Sequence, residues 1–180
     1  MKGMKIVAFA AALAVLPLTE AFARGAGGVT WGEQYFDSRF SNYDVSMNYN
    51  GVFGYSVTYG GQRVGGFAMA LNTSAGEPEL NGGFLGAITG QEFRTGPFLG
   101  AVNLWTGFGG LTGGATPGIP GSLALFGELN LEAGFGFMPG VTLTGYAGMQ
   151  VTSSLSASAP YFTNVMYTPV LGMRVAWGAF

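Results

Sequence analysis

Leu123 to Phe137 reads LALFGELNLEAGFGF, and after Met138-Pro139-Gly140 the chain continues from Val141 to Thr152 as VTLTGYAGMQVT. Successive side chains of a strand point to opposite sides of a sheet, so a period of two held this long predicts two strands joined by a tight turn. One face of the first strand carries Leu123, Leu125, Leu129, Leu131, Phe135 and Phe137, and the other carries Ala124, Phe126, Glu128, Asn130, Glu132 and Gly134. The second strand answers with Val141, Leu143, Ala147, Met149 and Val151 against Thr142, Thr144, Tyr146, Gln150 and Thr152. The polar face is small and nearly uncharged, which decides what solvent the sheet meets.

The alternation extends in both directions. Tyr43, Val45, Met47, Tyr49, Phe53, Tyr55, Val57 and Tyr59 share a face opposite Asp44, Ser46, Asn48, Asn50, Ser56 and Thr58. Asn50-Gly51 alone resembles a hairpin turn. Parity runs through it unbroken, so a continuous strand is predicted instead. Gly60-Gly61-Gln62 turns the chain, and Phe67, Met69 and Leu71 then oppose Gly66, Ala68, Ala70 and Asn72. A weaker strand is predicted from Gly83 to Thr89, with Gly90 to Gly96 as a modest connection. Another runs from Pro97 to Phe108, with Phe98, Val102, Leu104 and Phe108 opposite Ala101, Asn103 and Trp105. The last, Val165 to Phe180, sets Leu171, Met173, Val175 and Trp177 against Gly172, Arg174 and Ala176. Val29 to Phe36 completes eight strands, with Glu33 on the face of Val29, Trp31 and Tyr35, either a break in the pattern or a bulge.

Short turns and longer loops alternate along this series. The segments Asp37 to Asn42, Thr73 to Asn81, Gly109 to Gly121 and Ser153 to Tyr161 collect at one end, and the tight turns at the other. That asymmetry predicts an all-β, eight-stranded antiparallel up-and-down transmembrane β-barrel.

Composition agrees. Charged residues are 9% of the chain against about 25% in a soluble domain, and glycine reaches 33 of 180 residues. A water-facing surface needs a dense mixture of charges, which neither face offers. The Gly, Ala, Thr and Asn face suits a crowded lumen, because eight strands leave an interior that side chains just fill. The bulky face, with Tyr59, Phe67, Phe135, Phe137 and Trp177 near its ends, suits lipid and its interfacial aromatic girdles.

The N-terminus reads as a leader. Lys2 and Lys5 precede an apolar run, Ile6 to Leu18, and Ala21-Phe22-Ala23 has the form of a cleavage site. The run is about 13 residues, short of the roughly 20 that a spanning helix needs. Residues 1–23 are therefore read as a signal peptide and residues 24–180 as one barrel domain. Both lysines fall in the leader, and the acids of the remaining chain outnumber its arginines, so nucleic acid is not an expected partner. The chain has no Cys and no His, so disulfides, His- or Cys-based catalytic triads and His-based metal sites are excluded.

Here the chain resembles the small outer-membrane β-barrels of diderm bacteria, of the OmpA, OmpX and OmpW type. The resemblance is architectural, and its most specific element is the closing strand, Leu171 to Phe180, which ends on an aromatic residue. Phe180 departs from the usual pattern by falling out of step with Leu171, Met173, Val175 and Trp177. The resemblance implies that Trp177 and Phe180 form an assembly signal, that periplasmic chaperones and the barrel-assembly machinery are partners, and that outer-membrane lipids surround the protein. It implies location in the cell outer membrane.

No catalytic, cofactor-binding or metal-binding residue is expected, and no cofactor. The run Gly107 to Gly113 matches no dinucleotide fingerprint and reads as a loop. Glu128 and Glu132 point the same way but lie about 13 Å apart at roughly 3.3 Å per residue. A glycosidase pair needs about 5 to 9.5 Å. The two are expected instead to join Asn130, Tyr146 and Arg174 in a polar network inside the lumen. The predicted function is non-enzymatic: an envelope-structural or surface-interaction role through the longer loops, to an extracellular ligand the sequence does not identify. The alternatives are a narrow channel for small solutes and, less favoured, a soluble secreted binding barrel.

Overall fold

The computed structural model describes residues 22–36, 45–73, 81–112, 121–155 and 165–178. Eight strands follow in chain order: β1 (Phe22–Phe36), β2 (Val45–Thr58), β3 (Gln62–Thr73), β4 (Asn81–Thr95), β5 (Phe98–Thr112), β6 (Ser122–Met138), β7 (Val141–Ser154) and β8 (Val165–Gly178). Each pairs antiparallel with its neighbours, and β1 closes on β8 from Ala26↔Gly178 to Gln34↔Val170, so the sheet is a closed barrel without a free edge.

The tight turns sit together at one end. Gly61, Gly96 and Gly140 take left-handed backbone angles there, with φ of 83°, 58° and 75°. A residue with a Cβ is strained in that region, which is why each turn has glycine at this position. The strand ends that border residues 37–44, 74–80, 113–121 and 155–164 all lie at the opposite end.

Several boundaries differ from the sequence reading. β4 does not stop at Thr89: its ladder with β5 continues through Gln91↔Val102 to Thr95↔Phe98, leaving a two-residue turn at Gly96-Pro97. Gly107 to Thr112 is strand, not loop, because the ladders to β4 and β6 run through these glycines. β1 starts at Phe22, earlier than Val29, and shows no irregularity at Glu33, which simply faces outward. Residues 1–21 and Phe180 lie outside the described residues, and with them most of the predicted leader and the terminal aromatic.

The largest difference concerns which way two strands face. β5 through β8 present Phe98, Val102, Leu104, Leu129, Leu131, Leu171 and Trp177 outward, as the alternation implied. β2 and β3 are the reverse. Tyr49, Phe53 and Phe67 point into the lumen, Phe67 being only 4% exposed, while Gly66, Ala68 and Ala70 form the outer wall. Phe67 is thus a lumen residue and not part of an aromatic girdle. Tyr59 lies in the β2–β3 turn, several residues from Phe67, and is 88% exposed.

The reason is space. Phe53, Phe67, Phe84, Trp105 and Phe126 pack ring on ring, with centroids 4.8 Å apart for Phe67–Trp105, 5.5 Å for Phe67–Phe126 and 5.2 Å for Phe84–Phe126. A lumen too narrow for water must be filled by side chains. On the β2–β4 side aromatic rings fill it.

Candidate functional site

A charged, polar cluster fills the lumen between the rings and the tight-turn end. Its centre is Glu132 on β6. Arg63 from β3 donates to its Oε2 at 2.6 Å and Arg174 from β8 at 3.3 Å, while the Thr144 hydroxyl from β7 donates to Oε1 at 2.7 Å. The Asn103 amide of β5 donates to Glu132 Oε2 at 2.9 Å and to Asn130 Oδ1 at 3.0 Å. Asn130 in turn donates to Glu128 Oε1 at 2.7 Å, and Arg174 reaches the same oxygen at 3.4 Å.

A second carboxylate anchors the tight-turn side. Glu92 on β4, its side chain fully buried, meets Arg63 at 2.9 Å, Arg24 of β1 at 2.9 Å and Arg94 at 3.1 Å. Arg63 therefore bridges the two carboxylate centres, and the network runs from Arg24 to Glu128 without leaving the lumen. Burying an isolated charge is prohibitively unfavourable, so charges survive here only because each has an opposite partner and hydrogen bonds.

The arginines also stack on rings. The Arg174 guanidinium lies 3.8 Å from the centroid of Tyr146 and 4.2 Å from that of Trp105, and Arg63 lies 4.4 Å from Tyr55. Cation–π contact of this kind strengthens where water is excluded. Trp105 belongs to both halves, since its ring also packs against Phe67 and Phe53.

Tyr146 has room because the pair Gly32↔Gly172 lies beneath it. A Cβ at Gly172 would come within 2.4 Å of its hydroxyl, and one at Gly32 within 2.8 Å. The hydroxyl hydrogen-bonds to that of Tyr49, lies 3.2 Å from the Thr30 hydroxyl, and donates to the Trp31 carbonyl at 3.4 Å.

The structure brings together Glu128, Asn130, Glu132 and Arg174, and places Tyr146 against Arg174. Sequence reasoning missed Arg63, Glu92, Asn103, Arg24, Arg94 and Trp105. A signal for Arg63 was present: it shares parity with Phe67, Met69 and Leu71. An arginine on a lipid face is costly, so its parity marks that face as the inner one. Trp177 is 52% exposed and faces outward at the end of β8.

This arrangement can neutralise charge and lock strands together. Among the described residues, no group of His, Cys, Asp or Glu is placed to hold a metal ion.

Comparison with solved structures agrees with this architecture. Neisserial surface protein A (NspA) superposes with a TM-score of 0.64 at 12% identity, covering 86% of this chain and 96% of that one. The barrel fold is shared. The β domain of the Bordetella autotransporter BrkA aligns over 86% of this chain and 99% of its own, at 12% identity and a TM-score of 0.30, too loose to add to the comparison. No protein-family model and no curated protein sequence matches the chain.

Proposed function

We propose that this chain is an integral outer-membrane protein, exported through a leader ending near Ala23, whose closed barrel serves as a scaffold that presents the longer connections outside the cell. The reading rests above all on how side chains are sorted. Leu123, Leu125, Leu129, Leu131, Phe135 and Leu171 stand exposed on the outer wall, while Arg63, Arg174, Glu92, Glu128 and Glu132 are buried inside. A soluble carrier barrel has the opposite arrangement, apolar within and charged without. Only a closed barrel lets strands cross lipid with every backbone group paired, and this barrel closes.

Aromatic rings and paired charges occupy much of the lumen among the described residues, which favours a scaffold over a channel. Open channels in such barrels need about 16 strands. Trp177 and Phe180 would serve as the signal read by the assembly machinery.

Two measurements test the reading. The protein refolded into lipid should run as a heat-modifiable band and resist carbonate extraction; extraction with no folded band would overturn the membrane assignment. In a planar bilayer the wild type should give no discrete steps. Reproducible small steps, lost on blocking from one side, would support the narrow-channel reading instead.

A further inference from the structure

The apolar part of the outer wall is not equally tall on all sides. A row of paired residues followed round the barrel from Arg24 on β1 passes through Asn103, Asn130 and Val170 and returns to β1 at Gln34, ten residues nearer the loop end. Ten residues at about 3.3 Å against eight strand spacings of about 4.8 Å tilt the strands by about 40°, so each residue adds roughly 2.5 Å of height. On β6 the outward residues from Phe137 up to Leu123 are all apolar or glycine, a wall about 35 Å tall. On β2 the outward face turns polar at Asn50, about 20 Å above Thr58 beside the tight turn. An outer-membrane barrel ordinarily carries an apolar band about 25 Å tall. β2 falls short of it and β6 exceeds it.

The mismatch lies at one end. Phe93, Phe98, Phe135 and Trp177 stand exposed close to the tight turns on β4, β5, β6 and β8 and form a nearly level lower rim. At the loop end the two sides part. Asn50 is joined through Trp31 and Met173 to Gly145 on β7, and the shear moves the position level with Asn50 about four residues up, to Met149. Above that level the β6–β8 wall exposes Leu123, Leu125, Leu155, Val165 and Tyr167, with Ser153 the polar exception. The β1–β3 wall exposes Glu33, Asn48 and Asn72 there.

We propose that the lipid leaflet at the loop end is drawn down against β1 and β2, so that the barrel sits in a bilayer thinned locally along that seam. This rests on the reading of the wall as membrane-facing. Hydrocarbon at the height of Glu33, Asn48 and Asn50 offers a carboxylate and two amides no partner. Moving headgroups down to meet them costs much less per ångström. Tilting the whole barrel is no substitute, because it would carry the level lower rim of rings out of the membrane on the β6–β8 side. A second copy of the chain against β2 is the competing occupant, and the same reporters detect it.

The chain contains no Cys, so a single label can be placed without background. Asn50→Cys and Met149→Cys are each labelled with bimane, and the full chain is refolded into dimyristoyl phosphatidylcholine vesicles. Depth is read from quenching by lipids that carry a nitroxide at the headgroup or deep in the acyl chain. A flat bilayer puts both labels at one depth, because the two sites are level in the barrel. Local thinning puts the Asn50 label shallower by at least about 5 Å. Glu33→Leu combined with Asn48→Leu, which makes the seam apolar, should sink the Asn50 label to the depth of the Met149 label. Equal depths without those changes, or no movement on making them, overturns the proposal. So does an Asn50 label shielded from both quenchers in a two-chain species, which would assign the seam to a second copy. Equal depths in a barrel that runs as a heat-modifiable band remove this proposal and leave the membrane reading standing. A chain that does not enter vesicles removes both.

Discussion

The β2–β3 and β6–β7 hairpins close with similar glycine turns at the same end of the barrel, yet they are built inside out relative to each other. β6–β7 sets Leu129, Leu131 and Leu143 outside and Glu128, Asn130, Glu132 and Thr144 within. β2–β3 sets Phe53, Phe67 and Met69 within and leaves Gly66, Ala68 and Ala70 to the outer wall. Both meet the same demand, inward side chains that fill a narrow eight-stranded lumen. The contrast teaches that bulk does not say which face of a barrel strand is the inner one. Formal charge well inside the strands does, because a guanidinium or carboxylate there finds partners only inside; the outward Glu33 stands near the loop end of β1.

The sharpest way to break this comparison is to remove the charge at the centre of the polar half. Glu132→Ala leaves Arg63 and Arg174 short of a carboxylate and should cost about 3 to 5 kcal/mol, read from the urea midpoint of the lipid-refolded barrel. An unchanged midpoint would show that the network contributes nothing to stability. In the aromatic half, Phe67→Ala removes a ring packed on Trp105 and Phe126 and should cost about 3 kcal/mol, with a cavity left behind. Were Phe67 on the lipid side, no cavity would form and the loss would be much smaller.

Outer-wall changes sharpen the same contrast at lower cost. Leu129→Arg puts a cation against lipid near mid-strand and should lower stability by about 2 kcal/mol. Ala68→Leu, which lies next to Phe67 in sequence but on the opposite face, should shift the midpoint by less than about 0.5 kcal/mol. A large destabilisation by Ala68→Leu would mean that Ala68, not Phe67, points into the packed lumen.

The polar half was legible from residues 123 to 152 because there the two faces differ in both size and charge. Glu128 and Glu132 could not face lipid, and Arg174 on β8 had the same requirement. β2 contains no Lys, Arg, Asp or Glu from Val45 to Thr58, so its parity was clear and its orientation was not. Arg63 held the missing information for β3, but it stands at the end of the strand beside a turn, where an arginine attracts little notice. Glu92 was hidden differently: Gly90 and Gly96 around it look like loop, and only pairing with β5 makes the segment a strand. Which arginine meets which carboxylate depends on barrel register, a long-range property that no local pattern contains.

The ion network also constrains how the barrel comes into being. Arg24 lies on the first strand and Arg174 on the last, and both are tied through Arg63, Glu92 and Glu132 on strands between them. Arg63 and Glu92 stand on neighbouring strands and can meet early, but the pairs Arg24–Glu92, Arg63–Glu132 and Arg174–Glu132 join strands that are not neighbours, so a half-zipped sheet gains little of their attraction. Most of that stabilisation arrives together when β1 meets β8, which makes closure a concerted event and gives a partly assembled wall little reason to persist.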